Sequence, residues 1–167
     1  MIFLDTFITN LTQSLKDVMP PEIIIFIISL FPVLELRGGI IAGTALGVNW
    51  PTAYILCVIA NMIPVPFIIL FIRKIFEWLK NTRFIKLIKK LEEKAEKKSD
   101  SVRKYKSLGL FILVAIPLPG TGAWTGALVA ALLNMRLKDA FLPILFGVMT
   151  AGLIVALISY GVFGFIL

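Results

Sequence analysis

Two opposite charges, Glu35 and Arg37, lie within a strongly apolar part of the chain. They belong to the segment Pro32–Gly39, Pro-Val-Leu-Glu-Leu-Arg-Gly-Gly, and no other charged residue occurs between positions 23 and 72. A charge at membrane depth costs on the order of 2.5–3.5 kcal/mol, so such residues are usually functional or tightly paired. Proline and glycine around the pair indicate a broken helix with a polar centre, which is typical of transport proteins.

These two side chains offer different binding chemistry. Glu35 could bind a cation, carry a coupling proton or simply neutralise Arg37, and the chain has no histidine that could carry a proton instead. Arg37 could hold a phosphate or carboxylate through two parallel hydrogen bonds. A second break occurs at Pro117–Gly122. We expect Gly38 and Thr121 to begin the helices after the two breaks, where free N–H groups favour an anion.

Both breaks therefore contribute to the predicted substrate site, and Glu35 is also the predicted carrier of a coupling proton. The predicted substrate-binding residues are Glu35, Arg37, Gly38, Gly39, Pro117, Pro119, Gly120, Thr121 and Gly122. The sequence contains no nucleophile–base pair, no metal-ligand cluster and no phosphate-cradling motif with lysine. We therefore expect a protein that is not an enzyme and that needs no cofactor and no metal.

The segments that position these residues are apolar enough to cross a membrane. The chain has 167 residues, of which 59% are hydrophobic, and its mean hydropathy is +0.95. Residues 107–135 and 140–167 are uncharged, and each run exceeds the roughly 20 residues that cross a bilayer. The sequence predicts an all-α integral membrane protein with a single domain, 1–167. Its predicted parts are an amphipathic surface helix at 1–19, a first repeat at 22–72, a basic connector helix at 73–106 and a second repeat at 107–167.

The basic charge of the chain is concentrated in the connector. Residues 73–106 hold thirteen of the 17 Lys and Arg residues and five of the 10 Asp and Glu residues, a net charge of +8 against +7 for the whole chain. Cytoplasmic loops carry such an excess, so we expect a multi-pass protein of the cytoplasmic (inner) membrane with this connector inside. The same reasoning argues against nucleic acid as a partner.

Each repeat is predicted to be a re-entrant hairpin followed by a transmembrane helix. The arms of the first hairpin, 23–34 and 38–48, have 11 or 12 residues, roughly 17 Å of helix or half a bilayer. A straight helix that carries both charges is the alternative. An odd number of crossings in each repeat would invert the second copy, and the site would lie at the midplane between the two hairpins.

Small residues at intervals of four occur on one face of each second arm. These residues are Gly39, Gly43 and Gly47 in the first hairpin and Gly122, Gly126 and Ala130 in the second. The spacing predicts close helix packing. Pro64 and Pro66 are expected to kink the crossing at 52–72, because each lacks a backbone donor.

Both breaks resemble signatures of the bacterial small multidrug export family, a distant relative of the DedA (VTT, SNARE-associated) superfamily. Pro32–Gly39 resembles the first signature, Pro117–Gly126 (Pro-Leu-Pro-Gly-Thr-Gly-Ala-Trp-Thr-Gly) resembles the second, and the resemblance covers residues 20–165. It implies two facing re-entrant hairpins and membrane transport. Glu35 looks like the acidic residue of the DedA Pro-Gly-Glu motif. DedA proteins carry arginines in the second hairpin, whereas this chain has none there.

Three functions follow from these observations. The first, which the sequence favours, is transport of an amphiphilic anion, such as a polyprenyl-phosphate lipid carrier, because Arg37 and two helix N-termini outnumber one carboxylate. The second is proton-coupled export of cationic amphiphiles, with Glu35 as the binding acid. The third is a membrane scaffold that transports nothing, in which the two charges only stabilise the fold. A homodimer is plausible, because so small a chain encloses little interior.

Overall fold

Helices account for nearly all of the described structure. The computed structural model describes residues 19–80, 107–118 and 120–164, and it describes only the backbone at 73–80 and 162–164. Nearly all of the predicted surface helix 1–19, most of the connector 73–106, and Pro119 lie outside the described residues. Within them the chain forms seven helices and no strand: α1 (Pro21–Leu30), α2 (Glu35–Ala45), α3 (Trp50–Met62), α4 (Pro64–Lys80), α5 (Ser107–Ala115), α6 (Ala123–Leu132) and α7 (Leu137–Gly164).

Short helices occur where the sequence predicts the two hairpins. α1 begins at Pro21, where the missing N–H of proline removes no helical hydrogen bond. It ends before Phe31, which is extended ahead of Pro32 as expected for a residue that precedes proline. α1 packs against α2 in the first pair, and α5 packs against α6 in the second.

The second helix of each pair ends in the same backbone motif. At the end of α2, Gly47 has a φ of 73°, and the Val48 N–H donates to the Gly43 carbonyl at 2.9 Å. At the end of α6, Asn134 has a φ of 55°, and the Met135 N–H donates to the Ala130 carbonyl at 2.9 Å. Both ends are Schellman motifs, in which a left-handed residue ends the helix. Gly47 therefore ends α2 and does not serve the helix packing predicted for it.

Two segments are long and apolar enough to cross a membrane, Trp50–Ile72 and Leu137–Gly161. The first is interrupted at Ile63, between α3 and α4, where Pro64 cannot donate to the helix that precedes it. α4 then continues to Lys80. The second segment is the greater part of α7, which contains Pro143 without a break in the assigned helix.

The chain divides into two compact units, and both boundaries fall within the long apolar segments. The first unit comprises residues 1–61 and 149–167, and the second comprises residues 62–148. In the first unit the fully buried side chains include Ile24, Ile28 and Ile40; in the second they include Leu110, Val129 and Ile144. Many large apolar side chains are exposed, among them Val33 (76%), Leu157 (66%) and Phe67 (62%). So much exposed apolar surface suits a lipid environment.

Candidate functional site

The first set of predicted site residues lies at the turn between α1 and α2. The Glu35 N–H donates to the Phe31 carbonyl at 2.8 Å, and the Gly38 N–H donates to the Leu34 carbonyl at 2.9 Å. α2 therefore begins at Glu35, and the expectation that it begins at Gly38 is wrong. Glu35 and Arg37 lie within the first turn of this helix and not in the loop before it.

Glu35 is held in an uncommon conformation. Its φ is 50°, a left-handed value that costs a residue with a Cβ roughly 1–3 kcal/mol, and only 6% of the residue is exposed. Such strain persists only where the surrounding structure enforces it, and it occurs often at functional sites. The position at the N-terminus of α2 favours a negative charge, because the helix dipole and the first-turn N–H groups are positive there.

Arg37 supplies a positive charge two residues further along. Its side chain is partly exposed, and it is attracted electrostatically to the Glu35 carboxylate. The turn therefore holds a buried acid and a more accessible base within one helical turn. This arrangement can present either charge to a ligand.

Gly38 and Gly39 allow α2 to approach its neighbours closely. A Cβ added at Gly38 would lie 2.8 Å from the Leu34 Cβ. One added at Gly39 would overlap the Ser29 hydroxyl and lie 2.7 Å from the Cys57 Sγ. Because Ser29 and Cys57 fill the space beside Gly39, these contacts give that glycine a packing role, while its predicted contact with substrate stays a prediction.

Further contacts hold α2 against α3 and the end of α7 within the first unit. A Cβ added at Gly43 would lie 3.1 Å from the Ala53 Cβ and 3.0 Å from the Tyr160 hydroxyl. The Tyr160 hydroxyl donates to the Val48 carbonyl at 2.9 Å. The Tyr54 hydroxyl of α3 donates to the Met149 carbonyl of α7, also at 2.9 Å. The C-terminal half of α2 is thus held by α3 and α7, which also contact each other.

The second set of predicted residues forms the turn between α5 and α6. The Leu118 N–H donates to the Ile116 carbonyl at 2.8 Å, which closes a three-residue turn around Pro117. The Thr121 hydroxyl lies 2.8 Å from both the Ile116 and Leu118 carbonyl oxygens. Gly120 has a φ of 77°, which favours glycine.

α6 begins at Ala123, so the expectation that Thr121 begins this helix is wrong. Gly122 is its N-cap, with a φ of 142° that only glycine adopts readily, and the Gly126 N–H donates to the Gly122 carbonyl at 2.8 Å. The Thr125 hydroxyl donates to the Gly120 carbonyl at 3.0 Å. Threonine side chains thus hold this turn in shape, and Pro119 lies outside the described residues.

Sequence reasoning missed Asn61 as a candidate. It is buried, and it lies two residues before the interruption at Ile63. Its signal in the sequence is an amide in the middle of a long uncharged run, where a polar side chain is costly. Among the described residues, no group of three or more His, Cys, Asp or Glu side chains could hold a metal ion.

Together these features define an all-helical membrane protein whose short paired helices meet at polar, Pro- and Gly-rich turns. Residues 35–154 match the model of the family described as "Putative small multi-drug export protein". The match spans well over half of the chain, and the chain belongs to this family. It begins at Glu35, the first residue of α2, and it includes the turn between α5 and α6. No curated protein and no solved structure shows significant similarity to the chain.

Proposed function

We propose that this protein exports small amphiphilic organic cations across the membrane and that Glu35 is the acid that binds them. The observation that carries the proposal is a buried carboxylate, 6% exposed, within a run of the sequence in which Arg37 is the only other charge. A carboxylate in such a place is a strong attractor for a cation that is itself partly apolar. The description of the family, small multi-drug export, supports export of small drug-like molecules.

The proposal includes a re-entrant first hairpin. α1 and α2 have 10 and 11 residues, which at about 1.5 Å per residue is half of a bilayer. α2 runs antiparallel to α3, because Gly43 lies beside Ala53 and Gly39 lies beside Cys57. This pairing extends from near the start of the Trp50–Ile72 segment towards its middle. The turn between α1 and α2 would then lie near the middle of the bilayer, which supports a hairpin that enters and leaves on one side of the membrane.

The proposal also includes an inverted repeat. The first unit contains the first hairpin, the beginning of the first long segment and the end of the second. The second unit contains the second hairpin with the opposite halves of the same two segments. Each unit thus contains one hairpin, the first half of the long segment that follows it and the second half of the other long segment. This equivalence of the two units is what a repeat predicts. The matching Schellman motifs at Gly47 and Asn134 support this repeat as well.

Glu35 couples export to protons in this mechanism. A carboxylate can hold a proton or an organic cation, but holding both would leave a net positive charge in a poorly hydrated place. Exchange of one for the other would therefore link outward movement of the cation to inward movement of a proton. Arg37 lowers the affinity for cations by its own charge, which favours release once Glu35 is protonated.

A second candidate substrate is an amphiphilic anion such as a polyprenyl phosphate. Arg37 is more accessible than Glu35, and the N-termini of α2 and α6 are both directed towards the turns. Helix N-termini and arginine favour phosphate. In this alternative Gly38, Pro117, Gly120, Thr121 and Gly122 would contribute backbone groups to the substrate path.

Two charge-neutralising variants separate the candidates. The protein would be reconstituted into liposomes, and export of a cationic dye and movement of a fluorescent polyprenyl phosphate would be followed with and without a pH gradient. Glu35→Gln should abolish cation export, while Glu22→Gln, a change of the same type at the exposed edge of α1, should keep it. Loss of anion movement in Arg37→Gln, with cation export intact in Glu35→Gln, would favour the anion instead.

A non-transporting scaffold predicts a different result. If the charges only stabilise the fold, the exchange Glu35→Arg with Arg37→Glu should keep both stability and every measurable activity. Loss of export in a folded double variant would reject the scaffold. The proposal places the protein in the cytoplasmic membrane with residues 73–106 inside, and it leaves a homodimer open to measurement in detergent.

A further inference from the structure

Asn61 holds a buried acceptor for which the described part of the chain supplies no hydrogen-bond donor. Ser29, Glu35 and Asn61 are the buried polar or charged residues in the described part of the chain. The Ser29 hydroxyl donates to the Ile25 carbonyl at 2.8 Å, and Glu35 belongs to the site described above. The Oδ1 of Asn61 is buried without a hydrogen-bond partner, and only 2% of the residue is exposed. Buried polar atoms almost always have a hydrogen-bond partner, so this acceptor is a candidate to bind a donor from outside the fold.

The packing of α2 on α3 brings this acceptor to the level of Glu35. Gly43 lies beside Ala53, and Gly39 lies beside Cys57. A step of four residues back along α2 therefore corresponds to a step of four residues forward along α3. One further turn on both helices takes Gly39 to Glu35 and Cys57 to Asn61. Both residues belong to the same compact unit.

The depth of Asn61 suits a transport site. It is the middle residue of the apolar segment Trp50–Ile72. Pro64 has no N–H with which to complete the helical hydrogen bond to the Ala60 carbonyl. The helical hydrogen-bond pattern is therefore interrupted next to Asn61.

We propose that Glu35 and Asn61 together bind a protonated amine. The carboxylate neutralises the charge, and the Asn61 Oδ1 accepts a hydrogen bond from the N–H of the cation. The site would then prefer primary, secondary or tertiary ammonium ions to quaternary ammonium or phosphonium ions, which have no N–H to donate. This preference rests on the proposed export of cations through Glu35 and adds the class of cation.

A pair of ligands that differ in one N–H tests the proposal. N,N-dimethyldodecylammonium and dodecyltrimethylammonium share the same tail and charge, and their binding to the protein in nanodiscs can be compared at one pH, with protein-free nanodiscs subtracted. The wild type should bind the N–H form about tenfold more tightly, which corresponds to about 1.4 kcal/mol. Asn61→Leu should bring the ratio of the two Kd values close to one and leave the Kd of the trimethyl form unchanged.

Control variants show whether a loss of the preference for the N–H ligand is specific to Asn61. Ile59→Leu changes an exposed residue of the same helix and should keep the tenfold preference. Asn61→Leu should melt at or above the temperature of the wild type, because it removes an unsatisfied buried acceptor. Should the leucine variant fail to fold, Asn61→Val provides a smaller apolar replacement with the same expected loss of preference.

The outcomes distinguish this inference from the function on which it rests. A wild type that binds both ligands equally, or a folded Asn61 variant that keeps the preference, overturns the role of Asn61. Loss of both ligands in Glu35→Gln supports cation binding through Glu35 whatever Asn61 does. Unchanged Kd values for both ligands in Glu35→Gln would overturn the proposed function itself.

Discussion

Gly39→Ala is the change that most directly tests the close packing beneath the first turn. The new Cβ would overlap the Ser29 hydroxyl and lie 2.7 Å from the Cys57 Sγ and 3.0 Å from the Ile25 carbonyl oxygen. The Ser29 and Cys57 side chains would have to move away, and the Ile25 carbonyl cannot do so independently because it belongs to the backbone of α1. Helices α1 and α2 must therefore separate slightly, and Glu35 would move with α2.

The expected change in the free energy of unfolding follows from two opposing contributions. Overpacking a well-filled site typically costs about 1–3 kcal/mol. Replacing glycine by alanine inside a helix returns up to about 1 kcal/mol. We therefore expect Gly39→Ala to lower the free energy of unfolding by about 1–2 kcal/mol.

Gly161→Ala is the matched control, because no atom of the described residues lies within 4 Å of a Cβ added there. It should be neutral or stabilising, since only the helix-propensity gain applies. Adding Ser29→Ala to Gly39→Ala should recover part of the loss and not all of it, because the contacts with Cys57 and the Ile25 carbonyl remain. Unfolding can be followed in mixed micelles by the fluorescence of the three tryptophans. A Gly39→Ala protein as stable as Gly161→Ala would refute the reasoning.

The remaining predictions concern single hydrogen bonds. The Ser107 hydroxyl lies 3.3 Å from the Asp139 carbonyl, the group that Pro143 cannot serve because proline has no N–H. Ser107→Ala should therefore lower the free energy of unfolding of the wild type by about 1 kcal/mol. The same change should have little effect in the Pro143→Ala background, because alanine restores the helical N–H donor. A double-mutant cycle in micelles measures the difference between the two effects. Tyr160→Phe should likewise cost about 1 kcal/mol, because it removes the donor to the Val48 carbonyl. Equal melting temperatures of the wild type and Tyr160→Phe would show that this bond adds no stability.

Much of the architecture could be predicted from residue types alone. Pro32 marks the first turn, Pro117 with Gly120 and Gly122 marks the second, and the long uncharged runs mark both membrane segments. These signals work because proline and glycine restrict or free the backbone locally, whatever the tertiary context.

The sequence did not predict where α2 begins. Glu35 has a left-handed φ that costs energy locally, so no propensity favours it, and the packing around the turn must enforce it. Gly38 was expected at the start because the uncharged arm 38–48 follows the two charges, yet it lies inside the helix, where a Cβ would come within 2.8 Å of the Leu34 Cβ.

The proposed pairing of Asn61 with Glu35 could not have been predicted from the sequence either. The two residues lie far apart in the sequence, and only the antiparallel packing of α2 on α3 brings them to one level. Pro143 illustrates the same limit, because a proline inside a helix is tolerated when a distant hydroxyl such as that of Ser107 lies beside the freed carbonyl. Tertiary contacts of this kind leave no local trace.

Single-cysteine labelling tests the re-entrant hairpin most directly. Cysteine would be placed one position at a time, at Glu22, Asn49 and Lys138, in a background in which the single Cys57 is replaced by alanine. A membrane-impermeant maleimide added to intact cells should label positions 22 and 49 and should reach position 138 only after the cells are opened. If positions 22 and 49 label from opposite sides, the first pair of helices runs straight through the bilayer, and the proposed position of Glu35 at the tip of a hairpin is wrong.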